Sequence, residues 1–362
     1  MDQKVSAEPA DRWHGRGARS NRAGRFEIEQ RDDFDDGWNS LEQLAAFKTV
    51  VHRELAKSVI ARNDSPDISF EQSINPYRGC EHGCVYCYAR PSHGFLGHST
   101  GLDFETQLYA KTNVAEVLER ELSRPNYLPK TIALGTVTDP YQPIERGLQL
   151  TRSVLEVLER AQHPVGIVTK SALVTRDIDI LSRLAQRGLV KVAVSVTTLD
   201  RALARAMEPR ASTPTRRIEA IRRLSDAGIP VTVMVAPIIP ALNDREIEAI
   251  LSVAKDAGAR EAGYVMLRLP FELKDVFREW LATEYPDRAK RVIALLRTMH
   301  GGADYKSEFG HRQRGSGPYA EQVAARFRLG VKRLGLNERG RYKLRADLFC
   351  RPVAIGQQML LL

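Results

Sequence analysis

Six short candidate strands, most of them nearly continuous apolar runs, separated by amphipathic stretches constrain this chain more than any other feature. They fall at residues 72–76, 131–137, 165–169, 191–197, 231–236 and 264–269. VKVAVSV and VTVMVAP are apolar at nearly every position. Strands buried on both faces read this way, as in a parallel sheet covered by helices. The segments between them carry helical stripes. In IERGLQLTRSVLEVLERA, Leu148, Val154, Leu155 and Leu158 approximate one face. PTRRIEAIRRLSDAG opens on Pro214 and stops at Gly228, and NDREIEAILSVAKDAG opens on an Asn243 or Asp244 cap and stops at Gly258. The expected fold is α/β, a partial (β/α)6 TIM-like barrel. On such a sheet, chemistry belongs at the C-terminal ends of the strands.

The flanks differ from this core, which is expected to span residues 68–300. Residues 1–40 are polar and Arg/Asp-rich, and RGARSNRAGRF (residues 16–26) predicts a loosely ordered arm. Residues 41–67 are expected to form a helical lead-in, with the helix over 41–61. Residues 301–362 are expected to be a basic, mainly helical extension. Of the net charge of +9, the stretch from Asp304 onward carries 12 Lys/Arg against 5 Asp/Glu. Interleaved with them are Tyr305, Phe309, Tyr319, Phe327, Tyr342 and Phe349. Such a segment suits a DNA or RNA surface or, equally, a solvated helical face. No apolar run approaches the about twenty residues a membrane span needs, and no secretory h-region is evident, so a cytoplasmic protein without membrane contact is expected.

Three of the four cysteines lie in SINPYRGCEHGCVYCYARPSH, at Cys80, Cys84 and Cys87. Four cysteines in a chain this long do not make a disulfide scaffold, and a tight cluster points to metal or redox chemistry. A zinc site would close with a fourth ligand from His82, His93 or His98. A [4Fe–4S] cluster held by three thiolates leaves one iron with open coordination for a ligand. The fourth cysteine, Cys350 in DLFCRP, reads as a small buried apolar residue.

Cys80-x3-Cys84-x-Tyr86-Cys87, following the first strand of a βα array, resembles the radical S-adenosylmethionine (SAM) superfamily. YRGCEHGCVYCYAR, GTVTDPYQPIE and VAPIIPALND are similar to stretches of its spore photoproduct lyase-like branch, related to "DNA repair photolyases", over roughly residues 68–270. The resemblance implies an enzyme whose [4Fe–4S] cluster is held by Cys80, Cys84 and Cys87. Its open iron binds SAM, and reductive cleavage yields a 5′-deoxyadenosyl radical. It also implies SAM contacts: Tyr86 near adenine, Thr138 and Asp139 at the methionyl amine, Lys170 at the carboxylate, Ser195 and Thr197 at the ribose, and Ile238 on the adenine face. Glu208 and Arg210 are further candidates. Ala236 and Pro240 stand where the wider superfamily pattern has glycines. The lyases' extra hydrogen-donor cysteine after strand two is replaced by TVTDPYQP, which leaves Tyr86 and Tyr88 as candidate catalytic relays. A reductase or a flavodoxin or ferredoxin is the implied electron donor. Gln358, Met359, Leu360, Leu361 and Leu362 resemble the short peptide that docks on bacterial sliding clamps; a tail packed on its own core is the competing reading. Radical modification of a protein or small metabolite, and a non-catalytic zinc or Fe–S module, are the alternative functions.

Overall fold

The computed structural model describes residues 15–22, 24–26, 48–338 and 342–352. In chain order the strands are β1 (Val50–Glu54), β2 (Ala61–Arg62), β3 (Gln72–Ile74), β4 (Tyr77–Arg78), β5 (Gln107–Lys111), β6 (Ile132–Leu134), β7 (Val165–Thr169), β8 (Val190–Ser195), β9 (Val231–Ile238) and β10 (Glu261–Met266). The helices are α1 (Asp103–Thr106), α2 (Val114–Leu122), α3 (Glu145–Leu148), α4 (Leu150–Arg160), α5 (Ile178–Gln186), α6 (Arg201–Met207), α7 (Pro214–Asp226), α8 (Ile247–Asp256), α9 (Leu273–Glu284), α10 (Pro286–Met299) and α11 (Gly317–Arg333).

The main sheet runs β10-β9-β8-β7-β6-β3-β2. Its six strands from β3 to β10 are parallel, each beside the next in sequence, and only β2 pairs antiparallel, at one edge. This is the expected partial barrel, and all six candidate runs become its strands. The last strand starts three residues earlier than expected, at Glu261. Val190, Val192 and Val194 of β8 and Val231, Val233 and Val235 of β9 are buried with Leu155, Leu181, Ile221 and Leu251 of the covering helices. Helices α7 and α8 end two residues before Gly228 and Gly258, as their stop signals predict. Asn243 caps no helix; its side chain bonds a loop at the site instead.

The expected helix over 41–61 is overturned where the chain is described. Residues 41–47 lie outside the described residues. Beyond them, β1 pairs in parallel with β5, which also carries β4, in a separate three-stranded sheet. Paired β-branched Val50 and Val51 favour the ladder, and His52 stacks on Tyr109 of β5 at 4.8 Å. The basic extension is partly helical, as α11, and its aromatics mostly turn inward. Phe327 packs on Tyr264, Tyr319 donates to Asp244 at 2.6 Å, and Phe349 sits against Tyr127 and His163. These three rings are engaged within the protein, which neither a nucleic-acid surface nor a solvated face gave them. Phe309 is the exposed one. Residues 358–362 lie outside the described residues.

Most of the polar arm also lies outside them, but one section of it is built into the protein. Asn21 joins Asp103 of α1, Ser20 donates to Glu279 of α9 at 2.7 Å, and Arg19 pairs with Glu284. Residues 15–22 and 24–26 thus form a strap that ties the first βα loop to the helix after β10, across the barrel's open seam.

Candidate active site

The three cysteines sit on the loop leaving β4, at the C-terminal end of the sheet. Two glycines shape it. Gly79 (φ +72°) faces Phe104 O so closely that a Cβ would lie 2.9 Å away, and at Gly83 (φ +68°) a Cβ would lie 2.7 Å from Glu105 Oε2. Only glycine takes both the left-handed backbone and the close approach without strain. Backbone bonds pin the loop: Cys80 N–H to Phe104 O at 2.9 Å and Val85 N–H to Met207 O at 3.0 Å. Gln142 clamps it from the β6 side, accepting from Glu81 N–H at 2.9 Å and donating to Gly79 O at 3.2 Å.

Beneath the loop lies a buried ion pair. Arg90 and Glu105, both fully buried, face each other. Arg90 also donates to Cys84 O at 2.9 Å and Gly101 O at 2.7 Å. Glu105 accepts the strap's Gly17 N–H at 3.0 Å and Ala18 N–H at 2.8 Å. A Cβ on Gly17 would sit 1.7 Å from Gly83 O, so the strap lies directly on the cysteine loop. Ala18 packs in one apolar cluster with Cys84, Val85, Tyr86 and Trp280.

The thiols of Cys80 and Cys84 are buried and that of Cys87 half-buried, each within electrostatic reach of the others. Burial pushes the Cys80 and Cys84 thiols well above the ordinary range; at Cys80 the Asp139 charge and the other two cysteines add to it. The backbone N–H of Asp139 acts on the Cys80 thiol in the opposite direction and lowers it. Buried thiols beside one another become thiolates when a metal supplies positive charge, and N–H groups aimed at sulfur suit a cluster. No set of three His, Cys, Asp or Glu groups among the described residues surrounds a single metal-ion position. The histidines proposed for zinc are engaged elsewhere. His82 Nδ1 lies 3.4 Å from Asp139, His93 Nε2 bonds Gln107 O at 2.9 Å, and His98 Nε2 bonds Tyr109 Oη at 2.7 Å. The donor set therefore fits a three-thiolate cluster better than a Cys3His zinc site.

Beside the cysteines the remaining candidates divide. Tyr86, Lys170 and Thr197 come together: the Lys170 ammonium lies 5.6 Å over the Tyr86 ring, and the Tyr86 hydroxyl is 3.3 Å from Thr197 Oγ1. Thr197 donates to buried Glu208 at 2.6 Å, and Glu208 pairs with buried Arg217, which holds Ser195 O at 3.1 Å. Arg210 turns to Glu81 at 2.8 Å. Asp139 spends its carboxylate on the protein, accepting from Thr169 Oγ1 and Lys170 N–H, both at 2.7 Å, and from Tyr141 N–H at 2.9 Å. Despite its burial, the His82 charge and hydrogen bond, then these donors, hold it down at about 2. Thr138 is buried with its hydroxyl on Tyr77 O. Ile238 is buried at the end of β9, opposite Met266. Tyr88 is half-exposed, its hydroxyl on Thr136 O and its ring 4.4 Å from the Arg268 guanidinium.

Where Ala236 and Pro240 replace glycines, Asn243 holds the backbone path. It accepts from Ile239 N–H at 2.7 Å and donates to Thr197 O at 2.8 Å. Sequence reasoning missed Asn243 as a site residue, and also Gln142, Glu105 and Arg90. Gln142 and Asn243 lie inside the quoted stretches TDPYQPIE and PALND. Glu105 had no local signal, because its partners come from the strap and the 3-10 turn Arg90–Leu96. Cys350 departs from its expected burial. It is exposed, and its N–H bonds Ala161 O, at the end of α4 that leads into β7. That is the N-terminal end of the sheet, opposite the three cysteines, so Cys350 is no hydrogen donor to the site.

The radical SAM superfamily profile matches residues 74–254, from β3 to α8. An uncharacterized protein of Mycobacterium tuberculosis is 38% identical over 249 residues, covering 68% of this chain and 73% of the relative. One from Methanocaldococcus jannaschii is 27% identical over 214 residues, covering 59% and 76%. Among solved structures, spore photoproduct lyase complexed with dinucleoside spore photoproduct shares the fold, with a TM-score of 0.56 at 18% identity over 79% of this chain and 80% of that one. A mutant of the same lyase gives 0.57 at 17% identity, over 86% and 87%. With three cysteines gathered on the first βα loop of a partial barrel, the chain belongs to the radical SAM superfamily and is an enzyme whose cofactors are a [4Fe–4S] cluster and SAM.

Proposed function

We propose that this enzyme acts on a nucleic acid, with Cys80, Cys84 and Cys87 holding the cluster. Held there, the cluster would supply the one electron for reductive opening of the SAM sulfonium bond, and SAM the radical chemistry that removes hydrogen from the substrate. The chain's own residues position and shield. Lys170 offers the methionyl carboxylate a point charge, Thr138 and the Asp139 turn face the amine, and Ser195 and Thr197 offer hydroxyl and backbone groups to the ribose. Tyr86 and Ile238 frame the adenine. The strap and the apolar cluster around Trp280 exclude water from one side of the cysteine loop. Tyr88, next to Cys87 and open to solvent, is the hydrogen relay towards a substrate at the mouth.

The observation that carries the nucleic-acid reading is the pairing of exposed aromatic rings with arginines around this mouth, beginning with Tyr88 and Arg268 at 4.4 Å. The spore photoproduct lyase with a bound dinucleoside lends support through shared fold. The electron donor this reading calls for is a reductase, a flavodoxin or a ferredoxin. The test is anaerobic turnover of reconstituted, reduced protein with SAM, measuring 5′-deoxyadenosine with and without DNA or RNA. Release that no nucleic acid changes, while a protein or metabolite fraction raises it, points to the alternative substrate classes.

A further inference from the structure

We propose that Arg25, Phe26, Phe95 and Phe271 form a stacking platform for single-stranded nucleic acid at the rim of the barrel mouth. This rests on the nucleic-acid reading above and names the form of the substrate and where it lies. The three rings are 53%, 72% and 64% exposed. They come from three separate elements: the strap, the 3-10 turn after the cysteines, and the loop after β10. The Arg25 guanidinium gathers them, 4.9 Å from the Phe26 ring, 5.7 Å from Phe95 and 3.9 Å from Phe271. Phe26 and Phe95 pack at 5.1 Å between centroids.

Burial does not explain this cluster, since each ring keeps more than half its surface in water. Backbone preference does not explain it either. Phe271 has φ of +53°, a left-handed conformation that a bulky side chain adopts only at a cost. The loop accepts that strain and holds an exposed ring. Arg25 also reaches the Glu272 carboxylate at 3.8 Å, so the three apolar faces, with the guanidinium shared between them and that carboxylate, are what match a strand whose bases are free to stack. A duplex hides its base faces and gains only the charge. Phe95 lies eight residues beyond Cys87 and Phe271 five beyond Met266, so both rings stand on loops that follow the C-terminal ends of sheet strands, the end that carries the cysteine loop.

The experiment is fluorescence anisotropy on the full chain, with a labelled single-stranded oligonucleotide and its duplex, for wild type, Phe95→Ala, Phe271→Gly and Phe95→Tyr. Phe271→Gly removes the ring and suits the left-handed backbone, so the loop keeps its shape. Each ring deletion should weaken single-strand binding about 5- to 100-fold, from the usual worth of one base stack. Phe95→Tyr should retain it. Melting temperature and SAM cleavage without nucleic acid should not change. Wild-type affinity in both deletions, or duplex binding that is tighter and equally indifferent to them, overturns the platform and leaves the nucleic-acid reading standing. A wild-type chain that binds neither form at moderate salt overturns both.

Discussion

Removing the Glu105 carboxylate should both destabilise the protein and release the strap. Glu105 and Arg90 are fully buried, so Glu105→Ala leaves a guanidinium without its counter-charge in the interior. Breaking such a pair from one side costs about 3–5 kcal/mol. Arg90 retains carbonyl acceptors at Cys84, Thr100 and Gly101, which places the expectation near the lower bound, about 3 kcal/mol. The Gly17 and Ala18 N–H groups lose their acceptor in the same step, so the strap should detach. Thermal denaturation reads the first effect, and limited trypsin digestion reads the second through cleavage after Arg16 and Arg19. Gly17→Ala, which would drive a methyl into Gly83 O, should open the same trypsin sites while keeping the ion pair. Combining the two substitutions should open the strap little more than either alone, because both act on one contact. If Glu105→Ala melts within a degree of wild type and the strap stays resistant, the buried pair does not hold it and the reasoning is wrong.

Three further outcomes follow from the geometry. His163, fully buried between the Tyr127 hydroxyl and Pro164 O, is held neutral by burial with its pKa lowered to about 4. Its stabilising effect, on the order of 3 kcal/mol, is therefore complete above its unfolded value of about 6.5 and lost as pH falls towards 4; urea titrations at pH 7 and pH 4.5 should show a drop that His163→Gln reduces. Cys350→Ser should leave iron content, SAM cleavage and deuterium return from labelled SAM unchanged, because the residue sits at the far end of the sheet; a lost hydrogen-return step would contradict that placement. Glu208→Ala should remove the buried acceptor of Thr197 and the partner of Arg217, costing about 3 kcal/mol in stability by melting and weakening SAM binding in a filter assay; unchanged SAM affinity would take the Tyr86–Thr197–Glu208 chain out of the site.

Most of the strands were legible because they are contiguous apolar runs, and such a run is a local property. The three cysteines were legible for the same reason, standing within eight residues. What stayed hidden depends on distant partners. Residues 50–54 look helical beside Leu41 and Leu44, and only pairing with β5, more than fifty residues on, makes them a strand. The stretch 15–26 looks like a solvated arm because its Arg, Ser and Asn side chains are polar, yet their acceptors are Asp103, Glu279, Glu284 and the Glu105 carbonyl. Interleaved aromatics in the basic extension suggested a binding face, but pattern cannot tell Phe327 packed on Tyr264 from an exposed ring. The exposed rings lie instead on short loops, where no periodicity marks them.

The strap also sets an order of events during synthesis. Its residues leave the ribosome well before Glu279 and Glu284, which emerge about 260 residues later, some tens of seconds at elongation rates of roughly 5–20 residues per second. Until α9 forms, the strap can rest on Glu105 and the cysteine loop but its far end has no anchor, so the cover is fastened only when that helix docks.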